Sequence, residues 1–338
     1  MSRSPSRRPA PARPAAGPVW RRPFVLGLVV AALVGLGLAA LASVDRSEPL
    51  PEFDAARAYS LVRQQTDFGP RIPGTPAHDS TRAWLVERLG LYADRVFEQR
   101  ITIPDPRDTS RTFAGTNVVA SWRPEATRRV LLAAHWDTRP VADNDPDPQR
   151  RIGPVLGAND GASGVAVLLE IARLLSAHPL SQPVGIDVVL FDLEDLGTSD
   201  PAVGPDRRVP FAMGSEMFVL NNPGYRPEWG VLLDMVGDRN LRLPKEGFSV
   251  RYAPAVVERV WAAARRAGAT AFLDEVGPPV QDDHVPFLRE GIPVVDVIQQ
   301  PFPDTWHTTA DTPENVSAES LGQVGRMLVE LLWGAEPV

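Results

Sequence analysis

The 338-residue sequence contains no cysteine, and this absence limits how the chain can be stabilised and how it can hold a metal. Without cysteine the protein has neither disulfides nor a residue to carry a lipobox lipid. It also has no zinc-thiolate site. Any bound metal must therefore be held by histidine, aspartate and glutamate side chains.

The sequence also lacks the excess of basic residues that nucleic-acid binding requires. It has 35 lysines and arginines against 42 aspartates and glutamates, for a net charge of −7. A phosphate-binding surface needs a local surplus of positive charge, so we expect no nucleic-acid partner. No internal repeat is visible, and the length fits one large domain better than two small ones.

The first 44 residues differ in composition from the rest of the chain. Residues 1–22 are basic and rich in serine, proline and alanine, which predicts a disordered tail. An uninterrupted apolar run over residues 24–42 follows, in the order typical of an export signal. The run is long enough to cross roughly 30 Å of hydrocarbon. It ends in Ala40-Leu41-Ala42, which a signal peptidase accepts.

We therefore predict a transmembrane signal anchor or a signal peptide over residues 23–44 and favour the anchor because of the length of the apolar run. The following domain would lie outside the cytoplasm, held at a cell membrane through the N-terminal helix. If the signal is cleaved, the domain would be secreted or periplasmic.

Apolar segments alternate with helical patterns through residues 45–338, which we predict to form one catalytic domain. Several strand segments are continuously apolar, as is typical of strands covered on both faces. The alternation predicts a three-layer α/β/α sandwich with a mixed, mostly parallel central sheet. The predicted strands are 96–103, 117–122, 130–136, 186–191, 231–236 and 294–298. The predicted helices are 54–65, 75–91, 162–177, 211–220, 255–267 and 318–333.

Acidic and imidazole side chains follow several of these strands or lie in the next loop. In such sheets ligands bind beyond the carboxyl ends of the strands. The residues concerned are His135, Asp137, Asp160, Glu194, Asp195, Asp234 and His307. Each has a structural alternative when taken singly, such as a helix cap for Asp160. Their coincidence favours a divalent metal centre, and carboxylates with imidazoles but no thiolates suit zinc best.

Glu194 and Asp195 can divide two tasks between them. Neighbouring side chains at a strand end point in different directions. One carboxylate can therefore bind the metal while the other stays free beside it as a general base.

These motifs resemble those of the zinc aminopeptidase superfamily, in the same order and at compatible spacings from about Tyr59 to the C-terminus. Residues 282–289, Pro301-Phe302-Pro303 and Trp306-His307-Thr308 are most similar to those of the glutaminyl cyclases, in particular the bacterial type. Enzymes of this family convert an N-terminal glutamine of a peptide or protein into pyroglutamate with loss of ammonia.

The resemblance implies a role for each matching residue. The implied ligands of a single zinc ion are Asp160, Asp195 and His307. The implied catalytic acids are Glu194, which acts as general base and acid, and Asp234 and Asp282, which join it in a hydrogen-bonded chain. The implied walls of the glutamine pocket are Trp306 and Phe302.

Two positions depart from the vertebrate cyclases. Asp195 stands where those enzymes have glutamate, although a Glu-Asp pair is similar to that of bacterial relatives. Asp296 stands where the vertebrate enzymes have histidine, and this change puts the fine structure of the pocket in question.

A two-zinc aminopeptidase is the main alternative. Its second zinc would be bound by His135 and Asp234, with Asp160 bridging both ions and Glu194 activating a water molecule. All of these residues are present, so the sequence leaves hydrolysis open. Trp306 offers a flat wall for a glutamine side chain, and Asp282 adds an acid that hydrolysis does not require; both favour the cyclase.

A third alternative is a membrane-anchored peptide-binding domain that has lost catalysis. It predicts a broken ligand set, whereas the set in this chain is complete. The sequence does not indicate an oligomeric state.

Overall fold

The computed structural model describes residues 49–198 and 202–334. The predicted tail and the predicted anchor or signal segment lie outside these residues. None of the helices within the two described ranges is both long enough and apolar enough to span a membrane.

The centre of the fold is a mixed six-stranded sheet with the strand order β1-β2-β4-β3-β5-β8. Strands β4, β3, β5 and β8 run parallel, whereas β1 and β2 form an antiparallel hairpin at one edge. Strands β6 and β7 form a separate parallel pair. The strands are β1 Arg95–Asp105, β2 Asp108–Trp122, β3 Arg129–His135, β4 Gly185–Phe191, β5 Trp229–Asp234, β6 Leu243–Lys245, β7 Phe272–Val276 and β8 Val294–Ile298.

Helices cover both faces of the sheet, as the residues of β3 illustrate. Val130 and Leu132 pack in one core cluster together with Leu168 of a covering helix, whereas Leu131 packs with Phe218 on the opposite face. Alternate residues of a strand point to opposite faces, so a strand buried on both faces must be apolar throughout. The helices are α1 Ala55–Thr66, α2 Pro76–Gly90, α3 Ser163–Ala177, α4 Met213–Asn221, α5 Gly247–Tyr252, α6 Pro254–Arg266, α7 Val285–Arg289 and α8 Ala318–Trp333.

This architecture confirms the predicted three-layer α/β/α sandwich and its mixed, mostly parallel sheet. The predicted strand 117–122 was too short, because β2 begins at Asp108. Its first residues are polar and exposed, and antiparallel pairing with β1 satisfies their backbone groups without an apolar pattern. The short elements β6, β7, α5 and α7 were not predicted.

Candidate active site and metal centre

The carboxyl ends of the neighbouring strands β3, β4 and β5 bring the acidic and imidazole side chains together. His135 is the last residue of β3 and Asp234 is the last residue of β5. Glu194 and Asp195 follow shortly after β4, which ends at Phe191. Adjacent parallel strands end at the same edge of a sheet, so these residues meet there although they are far apart in the sequence.

Asp160 lies between two groups of potential metal ligands. Its Oδ1 atom is 3.1 Å from Nε2 of His135, and its Oδ2 atom is 3.8 Å from Nε2 of His307. One group consists of His135, Asp160 and Asp234, and the other of Asp160, Asp195 and His307. In each group the ligand atoms lie within 4.8 Å of one another, and all members are buried.

The helix-cap alternative for Asp160 is wrong. Helix α3 has Ala162 as its N-cap residue and no side-chain cap. The carboxylate of Asp160 instead faces the two histidines. Gly161 makes this turn possible: it has a φ of +100°, and a Cβ atom there would lie 2.5 Å from the carbonyl oxygen of Asp137.

The residues of the second group fit a zinc ion. Oδ2 of Asp160 and Oδ2 of Asp195 are buried, and neither has a hydrogen-bond partner within the described part of the chain. Burying carboxylate oxygens without a partner is costly, and a divalent cation removes that cost. Two carboxylates and one imidazole supply the oxygen and nitrogen ligands that zinc accepts in the absence of thiolates.

Two further carboxylates hold the backbone that carries the potential ligands. Asp137 accepts hydrogen bonds from the backbone amides of Glu194 and Asp195, at 3.1 Å each. Asp311 accepts them from the amides of Asn159 and Asp160, at 2.8 and 3.0 Å. The loops after β3 and β4 are thereby fixed relative to each other and to the Asp311 segment.

A half-buried ion pair between Arg139 and Asp143 links two of the potential ligands, Asp195 and His307. The guanidinium of Arg139 contacts both carboxylate oxygens of Asp143, at 2.7 and 2.6 Å, and lies 3.2 Å from Oδ1 of Asp195. Oδ1 of Asp143 is 3.4 Å from Nδ1 of His307. A carboxylate beside the second ring nitrogen of a metal-binding histidine fixes the orientation and tautomer of the ring.

The backbone is strained at three positions around the site. Leu193, Met235 and His307 have φ values of 59°, 48° and 56°, which non-glycine residues rarely adopt. Such conformations cost on the order of 1–3 kcal/mol each and persist where the surrounding structure enforces them. Leu193 precedes Glu194 and Met235 follows Asp234, so the strain falls where side chains are aimed at the site.

The carboxyl of Glu194 is buried, and the charged groups that act on it are mainly other acids, although His135 also acts on it in the opposite direction. Burial raises the pKa of Glu194 well above its usual range, and the nearby Asp282 acts in the same direction. Burial, with a further contribution from Asp234, raises the pKa of Asp282 to about 7. Glu194, Asp234 and Asp282 thus form a set of neighbouring buried acids, each of which resists ionisation.

The site opens into a cavity of about 800 Å³. Glu194, Asp282, Phe302 and Trp306 are among the residues that line it. The Trp306 ring stacks on His307 with a centroid distance of 3.9 Å, and the Phe302 ring lies 4.6 Å from Trp306. The cavity therefore has an aromatic wall beside His307 and an acidic wall beside Asp195.

Asp296 lies in β8, behind the cavity rather than on its wall. Its side chain is fully buried in a third group with Asp282 and His284, and His284 Nε2 is 3.2 Å from Glu246 Oε2. Asp296, which stands where the vertebrate cyclases have histidine, therefore lies beside Asp282 and behind the cavity. It does not change the surface that a substrate would meet.

The sequence assigned no role to Arg139, Asp143 or Asp311. It placed Asp137 among the candidate residues of the metal centre, whereas in the structure Asp137 holds the backbone of Glu194 and Asp195. The spacing of Arg139 and Asp143, four residues apart in a loop after His135, was a weak signal. No apolar periodicity marks a buried arginine, so its burial against Asp195 could not be read from the sequence.

Comparison with known proteins gives consistent matches. Residues 117–332 match peptidase family M28. The glutaminyl-peptide cyclotransferase of Bothrops jararaca is 28% identical over 302 residues, which cover 78% of each chain.

Two crystal structures from Bacteroides thetaiotaomicron have the same fold. A glutaminyl cyclase bound to N-acetylhistamine is 38% identical with a TM-score of 0.80, covering 85% of this chain and all of that one. A protein described as a leucine aminopeptidase precursor is 39% identical with a TM-score of 0.79, covering 85% of this chain and 99% of that one.

Proposed function

The chain belongs to peptidase family M28. We propose that it is a zinc-dependent glutaminyl-peptide cyclotransferase. It converts the N-terminal glutamine of peptides or proteins to pyroglutamate with release of ammonia. The observation that best supports this proposal is that the buried carboxyls of Glu194 and Asp282 are neighbours in a cavity that Trp306 also lines. The similarity to glutaminyl cyclases over most of the chain supports it.

Asp160, Asp195 and His307 would hold one zinc ion in this proposal. Lewis-acid polarisation of the side-chain carbonyl of the substrate's glutamine is the chemistry that a bound ion would supply. The side chains of Trp306 and Phe302 hold the glutamine side chain against the acids. This folds the side-chain carbonyl back towards the α-amine, and the proximity of the two reacting groups supplies much of the rate.

Glu194 moves the proton. Its carboxylate takes a proton from the α-amine as the amine nitrogen forms a bond to the δ-carbon, which is the carbonyl carbon of the side-chain amide. The bond between that carbon and the amide nitrogen then breaks, and the carboxyl returns the proton to the amide nitrogen, which leaves as ammonia. No water is consumed. Asp234 and Asp282 are the neighbouring acids that share protons with Glu194 and keep its carboxyl in place. This arrangement suits a carboxyl that must both accept and donate a proton.

The second candidate is a two-zinc aminopeptidase. The position of Asp160 between the two ligand groups favours it, since this geometry allows one carboxylate to bridge two ions. His135 and Asp234 would then bind the second zinc, and Glu194 would activate a water molecule.

The distinguishing experiment uses the chain lacking residues 1–44. The protein is incubated with one glutamine-led and one leucine-led peptide, and product masses are followed together with bound zinc. Loss of ammonia from the glutamine peptide, with about one zinc per chain, is the expected result. Release of free leucine with about two zinc ions per chain would replace the cyclase by the aminopeptidase.

In this proposal the catalytic domain acts outside the cytoplasm, because residues 23–44 have the pattern of an export signal. The signal is not cleaved and remains as a membrane anchor. Fractionation of cells that express the full chain tests the anchor. Activity that stays with membranes after a carbonate wash supports it, whereas activity in the soluble exported fraction indicates cleavage of the signal.

A further inference from the structure

The cavity is much larger than the group that the proposed reaction requires it to hold. A glutamine side chain has five heavy atoms, and at ~20–30 Å³ each they fill roughly 100–150 Å³. The cavity measures about 800 Å³. Most of its space is therefore available to the part of the peptide that follows the glutamine.

The residues that line the cavity divide into a buried floor and an exposed mouth. The floor contains Asp195 and His307, whose exposed fractions are 1% and 2%. The mouth contains Val276, which is 65% exposed although it is a large apolar residue. Two successive Cα atoms of a peptide are about 3.8 Å apart. A glutamine seated on the floor therefore places the next residue towards the mouth.

The mouth wall is apolar and carries no net charge. It consists of Val276 and the segment 277–280, with the buried Pro244 behind them. Arg242 and Glu275 also line the cavity, but their side chains lie 3.7 Å from each other and offset each other's charge. The wall therefore offers an apolar surface and no unpaired ion for a charged side chain.

Hydrogen bonds hold this wall in place. The amide of Gly277 donates to the carbonyl oxygen of Lys245 at 2.8 Å, and the amide of Val280 donates to Oε1 of the buried Glu246 at 2.8 Å. The side chain of Gln300 donates to the carbonyl oxygen of Pro278 at 3.0 Å. Two consecutive prolines in the segment also fix their own φ angles. A wall that is already ordered loses little conformational entropy on binding.

We propose that Val276 and residues 277–280, with Pro244, form a subsite for the second residue of the substrate, and that this subsite selects apolar side chains. The cavity is continuous from the ligands Asp195 and His307 to this subsite. This proposal rests on the proposed function in one respect only: the N-terminal residue of the substrate binds at the floor of the cavity. It would bind the same second residue in an aminopeptidase.

The test uses peptide amides that differ only at the second residue: Gln-Phe, Gln-Ala and Gln-Ser. We expect kcat/KM for Gln-Phe to exceed that for Gln-Ala by about tenfold, because roughly half of a phenylalanine side chain would be buried on the wall. Gln-Ser should not exceed Gln-Ala. Equal values across the series would overturn the proposal.

Val276→Ser should reduce the ratio of kcat/KM between Gln-Phe and Gln-Ala to about twofold or less. The ratio does not depend on the fraction of folded enzyme, so partial misfolding does not obscure it. Leu220→Ser is the matched control, since Leu220 is a similarly apolar residue, 63% exposed, that does not line this cavity. The control should keep the ratio of the unmodified protein. An unchanged ratio in Val276→Ser would contradict the subsite.

Binding separates this proposal from the proposed function. Calorimetry with the Glu194→Gln variant measures the affinity for Gln-Phe and Gln-Ala amides without turnover. Tighter binding of Gln-Phe supports the subsite even if the unmodified protein releases free amino acids instead of ammonia. Equal binding rejects the subsite even if the protein proves to be a cyclase.

Discussion

Glu194 and Asp195 are adjacent in the chain but have opposite surroundings. Oδ1 of Asp195 lies 3.2 Å from Nε2 of His307 and 3.2 Å from the guanidinium of Arg139. Burial raises the pKa of both carboxyls. The pKa of Glu194, which has Asp282 as a neighbour, is raised well above the usual range, whereas His307 and Arg139 act to lower the pKa of Asp195. Asp195 is thus placed to bind a cation as a carboxylate, whereas Glu194 is placed to exchange a proton.

Replacing Glu194, the proposed proton carrier, should separate catalysis from metal binding. Glu194→Gln should lower kcat by about 10²–10⁴-fold, since it removes the proposed proton shuttle but none of the proposed zinc ligands. Bound zinc, measured by plasma mass spectrometry, should stay as in the unmodified protein. His307→Ala is the complementary variant and should lose zinc. Activity retained in Glu194→Gln would reject the mechanism.

The pair formed by Arg139 and Asp143 should set the affinity for zinc. Asp143→Asn removes the charge beside Nδ1 of His307 and weakens the hold of Arg139, so zinc affinity should fall by about 10–100-fold. Competition with a chromogenic chelator measures it. Asp147→Asn is the control: Asp147 lies in the same loop but makes an exposed pair with Arg150 at 3.5 Å, and exposed pairs contribute little. Equal loss of affinity in both variants would show a general charge effect.

At the scale of secondary structure elements, the packing of α3 on the sheet brings Asp160 and Asp234 together. Gly164 lies in the first turn of α3, directly against β5. A Cβ atom at this position would lie 2.3 Å from the carbonyl oxygen of Leu233. The close approach therefore depends on glycine, and it connects the loop of Asp160 with the strand that ends at Asp234.

Gly164→Ala should destabilise the protein by about 1–3 kcal/mol, because the helix must move away from the strand. Gly90→Ala is the matched control, since Gly90 is also in a helix but has no atom within 4 Å of the added methyl group. The control should be neutral or more stable by up to about 1 kcal/mol. Urea unfolding of both variants measures the difference. Similar destabilisation by both substitutions would mean that the contact with Leu233 is not the cause of the lost stability.

At the scale of the whole molecule, we expect the buried carboxylates to couple zinc binding to the stability of the folded state. Without a cation, Oδ2 of Asp160 and Oδ2 of Asp195 are buried with no hydrogen-bond partner in the described part of the chain. Zinc at about 100 times its dissociation constant should therefore stabilise the folded state by roughly 2.7 kcal/mol.

Removal of zinc by EDTA should accordingly lower the thermal unfolding midpoint, and re-added zinc should restore it. Scanning calorimetry of the chain lacking residues 1–44 measures both changes. Magnesium serves as the control and should not restore the midpoint, because histidine is a poor ligand for it. A midpoint that is the same with and without EDTA would contradict the link between zinc and stability.

Much of this protein could be predicted from its sequence because the relevant signals are local. The continuous apolar run 130–134 and the helical pattern over 318–333 predicted the α/β/α sandwich. A strand buried on both faces is apolar throughout, and a helix buried along one stripe has apolar residues at helical spacing. The position of Asp234 and Glu194 after such strands predicted where the site would lie. The absence of cysteine limited its metal ligands to carboxylates and imidazoles.

Only the tertiary structure decided the features that depend on contacts between distant segments. Strands β6 and β7 are three and five residues long and have no strong period, and their pairing and packing place Val276 at the mouth of the cavity. The burial of Arg139 beside Asp195 and the position of Asp160 between two ligand groups arise in the same way. Such features depend on how elements pack after the chain has folded, and no periodicity in the sequence records that packing.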